Sequence, residues 1–253
     1  MSVWRLKRQL SYLSMVIATI IIVGIIVYFV YRPPATCFDG KQNQNEIGVD
    51  CGGTCKRICA ANVLPLKTVW VRPFEISPGL YSVMALIENP NLTQGVKKLS
   101  YTIKLFDQMG QLVKEIKGEN EALPQNLFTI FESNISARQG EISRAFIDFD
   151  DNNVWQEITD PKILLRVSQK SFDNTSQPKL LATITNEMAE DLKNVRVIVV
   201  LSDADGNAFS TSATLVDFLP RLSKRDIFFT WPESFPTNPT FIDFYSQVLG
   251  ENF

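Results

Sequence analysis

ALIENPNLTQGVKKLSYTIKLFDQMGQLV, residues 85–113, and ATITNEMAEDLKNVRVIVVLSDADGNAFS, residues 182–210, share one grammar. Each has a strand ending in Glu-Asn or Thr-Asn, a polar loop, a strand of alternating branched residues, and an Asp-x-x-Gly turn. The two copies lie about 100 residues apart, which points to duplicated domains; solenoid units are shorter. Outward from the first copy, Val83, Ala85 and Ile87 alternate over 82–88, and Tyr101, Ile103 and Leu105 share one face of 101–106. The turn at 107–110 leads to strands at 111–116, 127–131, 142–149 and 163–167. Around the second copy, strands are expected at 179–184, 195–201, 208–212 and 226–231, with a turn at 203–206.

Many short strands separated by Gly, Asn and Pro turns, with no amphipathic helix among them, predict a mostly β protein. The expected fold is two tandem antiparallel sandwiches of the immunoglobulin or fibronectin kind. Expected core residues are Tyr81, Tyr101, Phe106, Phe128, Phe131, Phe146, Phe149 and Ile163 in the first, and Leu181, Ile184, Val197, Val199, Phe218, Phe228 and Trp231 in the second. The polar stretch 168–178 reads as a hinge. At the carboxyl end Phe241, Phe244, Tyr245 and Val248 fit one face of a short helix or a last strand, and are expected to pack back on the second domain.

Upstream of the sandwiches, residues 10–31 contain no Asp, Glu, Lys or Arg. As a helix this run covers about 33 Å, enough to cross a hydrocarbon core. Arg5, Lys7 and Arg8 precede it, so the positive-inside tendency keeps a short tail, 1–9, in the cytoplasm and sends everything after residue 31 outside. Trp4, Tyr12, Tyr28 and Tyr31 stand where interfacial aromatics are expected. A cleaved secretory signal is the competing reading, but the run exceeds the usual apolar region and no small-x-small cleavage site follows it.

The resulting organisation is tail 1–9, transmembrane helix 10–31, Cys-rich neck 32–62, first sandwich 63–168, and second sandwich 169–253 with its terminal extension. The formal net charge of -2 leaves no electrostatic footprint for nucleic acid. The chain has no histidine, which excludes His-based acid–base catalysis and His metal ligation.

All four cysteines, Cys37, Cys51, Cys55 and Cys59, cluster just beyond the anchor. An even number in an extracytoplasmic segment predicts two disulfides, with three possible pairings. Asp39, Asn43, Glu46 and Asp50 offer hard oxygen ligands within the same loop, so calcium is the cofactor expected there, although the spacing differs from an EF-hand. Zinc on the four thiols is disfavoured by the oxidising exterior.

The string CFDGKQNQNEIGVDCGGTC, residues 37–55, resembles the C-x-D-G-x-x-N-x-x-E-x-G-x-D-C-G-G-x-C segment recurrent in bacterial secreted and surface proteins. That resemblance implies exposure at a bacterial envelope and no particular reaction. Residues 194–231 are similar to the FxLyD-type sandwich of bacterial envelope proteins, which implies a generic extracytoplasmic β-module.

Catalytic signals are few. Asp148, Asp150 and Asp151 end a predicted strand, and Asp203 and Asp205 occupy a predicted turn, where solvated turn chemistry accounts for them. No Ser-x-x-Lys, Gly-x-Ser-x-Gly or phosphate-cradling loop stands out. The expected function is therefore not enzymatic: a single-pass envelope scaffold or binding protein acting through contacts with another envelope or surface protein. The alternatives weighed are a subunit of a secretion or pilus-type assembly, a carbohydrate-binding module, and a hydrolase that uses carboxylates.

Overall fold

The computed structural model describes residues 3–31, 36–158 and 164–249. The chain divides into two compact units, Met1–Cys55 and Lys56–Phe253. In the first, α1 (Val3–Tyr31) is one continuous helix, beginning within the segment expected as a tail. Its stretch Gln9–Phe29 has a mean hydropathy of 2.6, and none of it is buried against protein.

The second unit is built from strands. In its first half these are β1 (Lys67–Ser77), β2 (Leu80–Asn89), β3 (Gln94–Phe106), β4 (Leu112–Ala122), β5 (Asn126–Ser136), β6 (Arg144–Phe149) and the two-residue β7 (Gln156–Glu157). The second half has β8 (Leu165–Asp173), β9 (Lys179–Asn186), β10 (Leu192–Ser202), β11 (Ala208–Leu219), β12 (Lys224–Thr230) and β13 (Phe241–Val248). One sheet runs β1-β2-β5 and its companion β4-β3-β6, with β7 beside the start of β3. The second half repeats this order as β8-β9-β12 and β11-β10-β13. Every pairing is antiparallel.

Each half has its own core. Tyr81, Val83, Ala85 and Ile87 of β2 meet Val96, Leu99, Ile103 and Leu105 of β3. Leu180, Ala182 and Ile184 of β9 meet Val195, Val197, Val199 and Leu201 of β10. A third cluster joins the halves: Phe74 and Met84 pack with Ile198 and Val200, flanked by Trp70, Phe131 and Tyr245. The layers therefore run β4-β3-β6, β1-β2-β5, β11-β10-β13, β8-β9-β12. The two inner sheets have apolar side chains on both faces, so β2 is buried almost throughout, where alternation alone predicts one solvated face.

The residues that open the repeat show why it recurs. Asn89 and Asn186 end equivalent strands and are buried. The Asn89 side-chain amide donates to the carbonyls of Gln94, Ala122 and Leu123 at 2.9–3.3 Å, and that of Asn186 to Glu190, Leu219 and Pro220 at 2.9–3.2 Å. Their oxygens accept the N–H groups of Asn91 and Met188. Each asparagine thus ties its strand end to the segment that follows it and to the end of a second strand, satisfying carbonyls there. The Asp-x-x-Gly turns also match: Asp107 Oδ1 accepts from Gln111 N, and Asp203 Oδ1 from Asp205 N and Asn207 N.

Several expectations need correction. The stretch 168–178 is not a hinge, because β8 runs through it and pairs with β9. Its Leu165, Val167 and Phe172 pack on the second core, an attachment the intervening polar residues concealed. Phe146, Phe218 and Phe228 are not core residues, being 55 %, 44 % and 50 % exposed. Their neighbours Ala145, Leu219 and the pair Ile227 and Phe229 take the inward positions, and the Phe228 ring carries Lys179 Nζ 4.4 Å from its centroid. Leu181 is half-buried for the same reason, with Leu180 and Ala182 turned inward. Phe131 faces the junction between the halves, and Ile163 lies outside the described residues. Strand β1 escaped sequence reading because Pro73 interrupts it, which is tolerated on an edge strand. The carboxyl-terminal segment forms the strand β13, from which Phe244 and Val248 pack on the second core, Tyr245 joins the junction between the halves, and Phe241 stays exposed.

Asn186→Ala removes a buried amide that satisfies three carbonyls, that of Leu219 buried, and should lower unfolding stability by about 2–4 kcal/mol, measured by urea denaturation. Asn186→Asp, nearly isosteric but unable to donate, should cost at least as much.

Candidate functional site

The neck is organised by its acids. Asp50 reaches across the loop, its carboxylate accepting Asp39 N at 3.0 Å and Gly40 N at 2.9 Å. Asp39 accepts Lys41 N and the Asn43 side-chain amide at 2.9 and 2.8 Å. Glu46 is 94 % buried by its 6 % exposure, and its Oε2 accepts Asn43 N and Asp50 N at 3.1 and 3.2 Å. The Asn43 amide, with Thr36 and Lys41 N–H, holds the Asp39 carboxyl below the usual carboxylate range. This support is complete at neutral pH and disappears as pH falls through that depressed value.

The structure thus brings Asp39, Asn43, Glu46 and Asp50 together, as a network that staples backbone. The Asp39, Glu46 and Asp50 carboxylates are engaged by N–H donors, which a calcium ion would have to displace. Among the described residues, one group of three places potential metal-ligating atoms within 4.8 Å of one another: Cys37, Glu46 and Cys55. Two of these atoms are the sulfurs of the Cys37–Cys55 disulfide, so they are thiolate ligands only after reduction. Glu46 Oε1 lies 3.1 Å from the Cys55 sulfur. Cys51 and Cys59 are also disulfide-bonded, and no described cysteine is free.

Two glycines make this loop possible. Gly53 has φ +62°, and a Cβ there would stand 2.0 Å from the Asn45 carbonyl oxygen; at Gly52, with φ +70°, it would meet the Ile47 side chain at 2.8 Å. The Cys-Gly-Gly string is therefore a requirement of close backbone approach.

The remaining candidates fall to turn and surface chemistry. Asp148 pairs with Lys104 at 2.7 Å on the outer face of β4-β3-β6, along an open recess of about 610 Å³. Asp150 Oδ1 accepts Asn152 N at 3.0 Å, and Asn153 brackets Ser100 through both its N–H and its C=O. Asp203, held below its usual range chiefly by Asn207 N–H, caps its own turn. Trp70, Trp155 and Trp231 pack in three different clusters, so they form no aromatic row for a sugar.

Sequence reading missed the contact across the first core. Tyr101 lies over Gly118 and donates its hydroxyl to Glu132 Oε1 at 2.6 Å, burial and that carboxylate raising its pKa. The visible signal was a lone glycine within a strand pattern.

Gly53→Ala should prevent the neck from closing. Non-reducing peptide mapping should then find the Cys37–Cys55 link lost or scrambled, while the unfolding free energy of the β-rich unit, measured in urea, stays within about 0.5 kcal/mol of the parent.

No family model and no curated protein matches this chain. Among solved structures, red sea bream transglutaminase is similar at 12 % identity and a TM-score of 0.23. The match covers 73 % of this chain and 29 % of that one, and a likeness so distant says nothing of activity.

Proposed function

We propose that this chain is a single-pass, membrane-anchored extracytoplasmic scaffold of a bacterial envelope, working through protein–protein contacts. The observation that carries this reading is α1, whose apolar stretch Gln9–Phe29 has no protein surface to bury against. A stretch of 21 residues rises about 32 Å as a helix, which matches a bilayer core and leaves lipid as its natural surroundings. Arg5, Lys7 and Arg8 before the apolar stretch of α1 and bonded cysteines after it both favour a cytoplasmic amino terminus and an oxidising exterior. The repeated three-on-three sheet arrangement supports two tandem sandwiches of the immunoglobulin or fibronectin kind, modules whose ordinary work is binding.

Protease added to intact spheroplasts should digest the β-rich portion and spare the first residues. Crosslinking in native membranes should recover one specific neighbour. Protection of the β-rich portion, or recovery of bulk membrane proteins alone, would overturn the proposal.

A calcium ion in the neck is a second reading, favoured by one atom: Asn43 Oδ1 is buried and accepts no hydrogen bond. A hard cation is a partner suited to that oxygen. Calorimetry on the oxidised full chain should show saturable calcium uptake that Asp50→Ala abolishes; absence of heat at about millimolar calcium would exclude it.

A further inference from the structure

The repeat exposes a difference between its halves. Strands β6 and β13 are equivalent, and each pairs on one side only among the described residues. The β6 edge is short, six residues, and carries Arg144 and Asp148, the latter paired to Lys104. Short length and charge are the usual protections of an exposed edge. Strand β13 has eight residues and a single charge, Asp243.

Its backbone is also available. Leu249 N donates to Asn194 O, and the register pairs Val195 with Val248 and Arg196 with Gln247. In an antiparallel ladder the odd-numbered residues of β13 therefore bond to β10, while Ile242, Phe244, Ser246 and Val248 aim N–H and C=O away from it. The inward side chains Ile242 and Phe244 pack on the second core yet stay half-buried, and Ser246 in the same row is exposed. The core is open along this strand as far as Ser246, and Val248 closes its end.

A groove of about 470 Å³ adjoins it. Residues 244–248 and 125–129 line it as consecutive runs, so two strand edges form its walls, with Leu92, Leu123 and Pro124 adding apolar surface. Tyr245 belongs both to this groove and to the junction between the halves, so the groove continues an established interface. Its one charged lining residue, Glu121, is acidic.

We propose that the open edge of β13 takes up an extended segment of a partner protein as an added strand, with apolar side chains at alternate positions. Main-chain bonds to the even-numbered residues would supply affinity, and the groove selectivity. This deepens the binding reading above and rests on it.

The test pans a phage-displayed random twelve-residue peptide library against the full chain in nanodiscs. Enriched peptides should alternate apolar and polar residues and slow amide exchange across 241–248. Ser246→Pro, which removes an outward N–H, and Ser246→Lys, which keeps the backbone and adds a guarding charge, should each weaken binding at least tenfold without moving the urea midpoint. Enrichment of nothing, protection elsewhere, or indifference to both variants would overturn the proposal. So would a concentration-dependent dimer lost in Ser246→Lys, which assigns the edge to a second copy. A neighbour crosslinked in native membranes through another face would uphold the scaffold reading and overturn this one.

Discussion

The β-rich unit depends on one contact, the packing of Phe74 and Met84 against Ile198 and Val200 between its two inner sheets. Without it, β2 and β10 would each present an apolar face to water. With it, both strands are buried on both faces and the halves lose the independence that a tandem arrangement suggests. Arg72 reinforces the junction by donating to the Ala208 carbonyl at 3.1 Å, and Gln247 does so through Asn120. The halves are therefore held by side chains as well as by the chain that links them.

That junction also determines which surfaces remain for binding. The inner faces are consumed, and the outer face of β4-β3-β6 is dressed with paired charges such as Lys104 and Asp148. Among the sheet edges that stay open is that of β13, where the second core is incompletely covered. The scaffold reading and the edge proposal thus draw on one fact: packing has closed the faces and left a strand's backbone unpaired.

Much of this was legible in the chain, and particular residues show why. The Asp-x-x-Gly turns were readable because a capping aspartate and a glycine at φ +81° or +79° carry their conformation locally. Asn89 and Asn186 were visible as letters in a repeat, but two of the three carbonyl partners of each lie more than thirty positions away. The parity of β12 was misread at Phe228 because an aromatic ring is apolar on either face, and only the register with β9 sends it outward. In the neck, Asp39, Asn43, Glu46 and Asp50 stand close together in the sequence, while the use of the three carboxylates as acceptors for backbone N–H depended on how Gly52 and Gly53 fold the loop.

By itself the sequence determined the apolar helix, the cysteine-rich neck and the duplicated strand order, because hydropathy, spacing and turn preference act over a few neighbouring residues. Tertiary structure decided which faces meet, the attachment of β8, and the exposure of β13. Those depend on contacts such as Met84 with Ile198, more than a hundred positions apart, whose apolar side chains look the same in sequence whichever surface they cover.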